Sequence, residues 1–194
     1  MLAAAQSFAA LPQRPKRTLL FIATTAEESG LLGSEAYVRA PLFPLAGTAA
    51  DVNIDGANVR GVTRDVAALG GERSSLGEIF AAAARAESLA ATGDPDPTKG
   101  SFFRSDHFPF ARAGVPSLSI EAGTDFVGRP AGWGAEQARL YNEQRYHQPG
   151  DEYRSSFTYG GMAQQVRVMM RVVLAVANAP DLPRWVPGSE FQRR

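Results

Sequence analysis

The chain has 194 residues, no cysteine and a formal net charge of zero, with 44% hydrophobic and 21% charged residues. That length and balance suit one globular domain with a real core. The missing cysteines exclude disulfides and thiolate metal sites, and the neutral charge leaves no electrostatic case for nucleic acid or an anionic membrane. Met1 to Leu11 reads as a helix without an N-cap signal, the pattern of a chain cut inside an element. It makes a poor signal peptide, with no positive charge before its apolar part, and the compartment stays open. No apolar run approaches the roughly 18 to 20 residues of a membrane span. Pro12 and Pro15 then break the helix. Thr18 to Thr25, a continuous apolar and β-branched run, predicts a strand buried on both faces. Helical signals follow from about Ser29 to Arg39. Val52 to Ile54 and Val66 to Leu69 predict short strands, and Ser74 or Ser75 caps a helix to about Ala91. Residues 93–100 are a loop by composition, Asp106 to Arg112 a short helix, and Val115 to Ile120 a fourth strand. Glu121 to Arg145 shows no clear period and is expected as a long surface loop. Gly161 to Asn178 predicts a strongly apolar last helix, and 180–194 a loosely ordered tail. Alternating strands and helices predict an α/β fold, a three-layer sandwich with helices on both faces of a mixed, mostly parallel sheet.

Candidate chemistry gathers at the predicted strand ends, where open α/β sheets form their ligand crevice. Glu27 and Glu28 are adjacent carboxylates there. Such a pair suits hydrolysis, one acid binding a metal while the other takes a proton from water; it also suits a helix's first turn, where the dipole favours acids. Asp55 closes the second strand, in a sequence equally typical of a turn. His147 is one of only two histidines, between the long loop and a Pro-Gly turn. Glu, Asp and His together form an appropriate ligand set for zinc. Ser105-Asp106-His107 opens the short helix, where Ser105 or Asp106 could serve as N-cap.

The stretch from Phe21 to Ser34 closely resembles the Glu-Glu motif of the zinc-dependent aminopeptidases of peptidase family M28. Asn53-Ile-Asp55, Ser105-Asp-His107, Gly114-Val-Pro116, Tyr146-His147 and Asp151 follow in the family's order. The resemblance implies a zinc-exopeptidase-like fold and hydrolysis of N-terminal residues from peptides by a zinc-activated water. By position it implies Glu27 as the general base, Glu28 and His147 as ligands of one zinc, and Asp55 as a ligand of the second. Asp106, His107, Asp151 and Tyr146 fall in supporting or substrate-side positions. Phe102, Phe103, Phe126 and Tyr141 are candidates for the side-chain pocket, or for packing. The family also uses a His-x-Asp motif and a bridging Asp upstream of the Glu-Glu strand, and the 26 residues before Glu27 contain neither His nor Asp. Of five expected ligands the chain supplies three. Residues 1–179 are therefore expected to be one catalytic domain lacking its N-terminal strands, a piece whose missing segment would be a partner alongside the peptide substrate. Two alternatives remain: a carboxypeptidase or glutaminyl-cyclase-like enzyme on the same fold, with Arg60, Arg104 and Arg129 available for a substrate carboxylate, or a non-catalytic relative with an incomplete metal site.

Overall fold

A computed structural model describes residues 1–192. Four strands form one mixed sheet in the order β1-β4-β2-β3: β1 Asp51–Asn53, β2 Asp65–Leu69, β3 Ala90–Thr92 and β4 Ser117–Ala122. β1 runs parallel to β4 and β3 parallel to β2, while β2 and β4 are antiparallel. β4 shows why the sheet has two different faces. Its sequence alternates, so Leu118 and Ile120 point one way and Ser117, Ser119 and Glu121 the other. On the apolar side Leu118, Ile120, Val66 and Ala68 form the main core with Leu76, Phe80, Ala83 and Ala84 of α3 (Leu76–Ala86) and Val168, Val172 and Val176 of α6 (Gly160–Asn178). On the opposite side α4 (His107–Arg112) covers the sheet, and Leu69 joins Phe102, Ala111, Trp185 and Phe191 in a second, aromatic core. Helices on both faces of a mixed sheet make this the expected α/β architecture.

Four sequence-based expectations change. Residues 18–25 are not a buried strand. Leu20, Phe21 and Ile22 are exposed, and no backbone hydrogen bond joins residues 18–24 to any described strand. Apolar, β-branched composition favours an extended backbone, but a ladder and burial need a neighbour. The segment lies instead beside α1 (Leu2–Ala9), whose Phe8 ring is 6.0 Å from that of Phe21, and its Thr24 hydroxyl donates to Asp106.

Within the expected loop at 121–145 stands α5 (Trp133–Gln144). It is largely exposed and braced by Arg139, which bonds Glu136 and Glu143 three and four residues away. A helix held by such pairs lacks the apolar stripe that marks a helix in sequence.

The helix expected from Ser74 or Ser75 starts after Ser75 and stops at Ala86 rather than Ala91, and the short, exposed edge strand β3 follows. The described part of the tail, residues 180–192, is not loose. Ser75 Oγ accepts the Arg184 N–H at 3.0 Å, Trp185 bridges to Ser74 and donates from Nε1 to the Gly114 carbonyl, and Trp185 and Phe191 are buried. Two aromatic side chains spaced through a polar segment suffice to seat it on the second core.

Candidate active site

The polar face of the sheet leads to the candidate site. Asn53, at the carboxyl end of β1, donates from Nδ2 to Ser105 Oγ at 3.0 Å and to Ser119 Oγ on β4 at 3.3 Å. Ser105 Oγ donates to Asp55 Oδ2 at 3.1 Å, and Ser119 to Glu121 at 2.8 Å. Asp55 is thus held just beyond its strand by Ser105, two residues ahead of α4. Burial raises the Glu121 carboxyl above its ordinary range, with Asp55 and Asp94 nearby adding to the rise and the Ser119 bond opposing it.

Glu27 and Glu28 sit in a 3₁₀ turn, Glu27–Ser29, that leads into α2 (Leu32–Arg39). The turn is tight. Gly30 adopts φ 94°, and at Gly33 a Cβ would overlap the Thr25 backbone, so this approach of chain to chain needs glycine. The Glu27 carboxyl is raised first by desolvation, then by the negative charges of Asp55, Glu28 and Asp106, while His147 pulls it down. A carboxylate lifted toward neutrality among like charges is a better proton acceptor. His147, itself in a left-handed conformation at φ 58°, donates from Nε2 to Glu28 Oε1 at 2.7 Å. Tyr146 stacks on the His147 ring with centroids 3.8 Å apart. Its hydroxyl pKa is raised by desolvation and by Glu28 and Glu27, with Arg104 opposing, so Tyr146 and Arg104 border the same acidic centre. Asp151 accepts the Tyr141 hydroxyl at 2.7 Å, and Arg60 lies over the Tyr141 ring.

The fold therefore gathers Glu27, Glu28, Asp55, Asp106, Tyr146 and His147 from four separate stretches of sequence. Their fit to a metal is partial. Glu28 and His147 form a pair of suitable donors, but among the described residues no three His, Asp or Glu side chains form a group that could hold a metal ion. His107 turns inward. It is fully buried, neither ring nitrogen makes a hydrogen bond, and its ring packs edge-on against Phe102 at 4.8 Å. Asp106 accepts hydroxyls from Thr24 and Ser34.

Of the pocket candidates, Phe102 belongs to the second core and Phe103 packs against its edge. Phe126 is buried against Trp133; only Tyr141 adjoins the site, through Tyr146. The sequence reading missed Glu121 as a site residue and gave Asn53, quoted in the Asn53-Ile-Asp55 motif, no role of its own. Glu121 carried the same signal as Asp55, an acid at the carboxyl end of a predicted strand.

Comparison with known proteins bears on the family and the fold. The family model for Peptidase family M28 matches residues 1–173. Among solved structures, the aminopeptidase from Aneurinibacillus sp. strain AM-1 is 19% identical with a TM-score of 0.54, over 88% of this chain and 36% of its own. The Legionella pneumophila LapA aminopeptidase is 16% identical with a TM-score of 0.65, over 93% of this chain and 44% of its own. At such identities the likeness is one of fold, and the chain spans less than half the length of either aminopeptidase. No curated protein matches it. With the family model covering the Glu-Glu turn, Asp55, the Ser-Asp-His segment and His147 alike, the chain belongs to peptidase family M28.

Proposed function

We propose that this chain carries the catalytic chemistry of an exopeptidase that removes N-terminal residues from peptides, with Glu27 as general base. The observation that carries the reading is the raised Glu27 carboxyl beside the Glu28–His147 pair. Glu27 takes a proton from water as the water oxygen adds to the scissile carbonyl, then returns it to the departing amine nitrogen. Zinc, the metal that the family resemblance implies, would meet Glu28 and His147 as two of its ligands and would polarise the carbonyl or the attacking water. A catalytic zinc takes three protein ligands, and the pair is one short. Asp55, assigned by the same resemblance to a second metal, accepts the Ser105 hydroxyl.

The charge of the site favours an amine over a carboxylate as the recognised end of the peptide. Glu27, Glu28, Asp55 and Asp106 surround the position, and an α-ammonium is attracted where a carboxylate is repelled. Among the three arginines that a carboxypeptidase could use, Arg60 lies over Tyr141 and Arg129 over Trp133. Arg104 beside Tyr146 remains as the group such a reading would need.

The test compares a peptide with a free N-terminus, its N-acetylated form and its C-terminal amide. An aminopeptidase cleaves the first and third and spares the second. Cleavage of the acetylated peptide with sparing of the amide would transfer the proposal to the carboxypeptidase reading. Glu27→Gln should lower kcat by about a hundredfold or more without altering the circular dichroism melt. Full activity in that variant would remove Glu27 from the mechanism.

A further inference from the structure

The turn that presents Glu27 and Glu28 adopts a backbone that its own residues do not favour. Ala26 at φ 55° and Leu31 at φ 61° are non-glycine residues in the left-handed region, which L side chains crowd. No residue of the 3₁₀ turn is buried, so core packing does not hold it. Five backbone hydrogen bonds close it internally: Ser29 and Leu32 N–H to the Ala26 carbonyl, each at 3.2 Å, Gly30 and Leu31 N–H to that of Glu27 at 3.0 and 2.8 Å, and Gly33 N–H to that of Thr25 at 2.9 Å. Beyond these, both ends of the turn are tied to one carboxylate on another element. Asp106 Oδ2 accepts the hydroxyl of Thr24, ahead of the turn, and Oδ1 accepts that of Ser34, behind it, at 2.6 Å. Ser34 is fully buried in the first turn of α2. The residue after Asp106, His107, is fully buried in α4, so the carboxylate is fixed to a packed part of the molecule. Hydrogen bonds to an ionised acceptor are about twice as strong as neutral ones.

We propose that Asp106 is a positioning residue which, through the hydroxyls of Thr24 and Ser34, fixes the strained turn carrying Glu27 and Glu28. Its catalytic consequence rests on the peptidase reading above, whereas its effect on the turn does not. Two readouts on the whole chain separate them. The first is backbone amide hydrogen exchange in Thr24→Val, Ser34→Ala and the double variant. In the double variant the Leu31, Leu32 and Gly33 amides should exchange about tenfold faster or more, while amides of α3 and α6 keep their protection. Thr24→Ser retains a hydroxyl and should retain the parent pattern. The second is steady-state hydrolysis of an unblocked peptide, where the double variant should lose kcat by about tenfold or more with KM within about twofold. Unchanged exchange at residues 31–33, or a loss spread evenly over α3 and α6, would overturn the positioning role. If the parent hydrolyses nothing, the exchange pattern still decides the clamp, and the failure falls on the peptidase reading. If the double variant does not fold, the single variants carry the same comparison, each with about half the effect on a logarithmic scale.

Discussion

Asp51 and His107 pull the folding equilibrium in opposite directions with pH. Asp51 Oδ2 is buried without a hydrogen-bond partner among the described residues, and burial, helped by nearby Asp106, lifts its pKa from 3.8 to about 7. Stability linked to this group is fully present below pH 4 and is lost as pH rises toward 7, because the unfolded chain releases the proton first. His107 does the reverse. Burial lowers its pKa from 6.5 to about 4, against the opposing influence of Asp106 and the Phe102 carbonyl, so its contribution is present above pH 6.5 and is lost as pH falls toward 4. Asp51→Asn should therefore unfold at higher urea than the parent at pH 8, by a few kcal/mol at most, with little difference at pH 4. A less stable variant at pH 8 would mean that the Asp51 carboxylate has a partner. At this scale the sequence named Glu27, Glu28 and Asp55 because acids at predicted strand ends are chemically conspicuous, and His147 because it is one of only two histidines and matches the family's motif order. It could not show that His107, equally conspicuous, faces the core, since orientation depends on where α4 packs.

At the scale of elements, legibility followed burial. β2, β4, α3 and α6 bury apolar residues at their own periods, and each was predicted within a few residues. α5 and β3 bury little, and both were missed. The 180–192 segment shows the converse, a stretch polar by composition whose order rests on Trp185 and Phe191. Trp185→Ala should destabilise the chain by about 3 to 5 kcal/mol in urea unfolding. A loss below about 1 kcal/mol would return the tail to the loose state expected from its composition. In the main core, Leu118→Ala at the centre of β4 should cost about 2 to 5 kcal/mol, because the fully buried side chain meets packed helices that cannot collapse onto the gap.

At the scale of the molecule, both cores meet at β2, which gives Val66 and Ala68 to one and Leu69 to the other, and the sheet between them transmits any loss of packing. Unfolding should therefore be one cooperative step, with far-ultraviolet circular dichroism and tryptophan fluorescence giving coincident transitions. Trp133 sits at the start of α5 and Trp185 in the second core, so separate transitions would show that α5 and the site it borders open independently. On the aminopeptidase reading proposed above, the acidic centre also sets an expectation for binding. KM for an unblocked peptide should rise with ionic strength as the attraction for the α-ammonium is screened. A KM independent of salt would argue against electrostatic recognition of that group.

The sequence by itself determined the α/β class, the order and type of the strongly periodic elements, and the membership in family M28. These depend on local patterns of apolar and charged residues that survive in one dimension. The tertiary structure alone decided that residues 18–25 lie outside the ladder, that Asp106 turns to Thr24 and Ser34, and that Glu28 meets His147 from 119 residues away. Those outcomes depend on which surfaces find partners across the sheet, and pairing between distant segments leaves no trace in the spacing of either one.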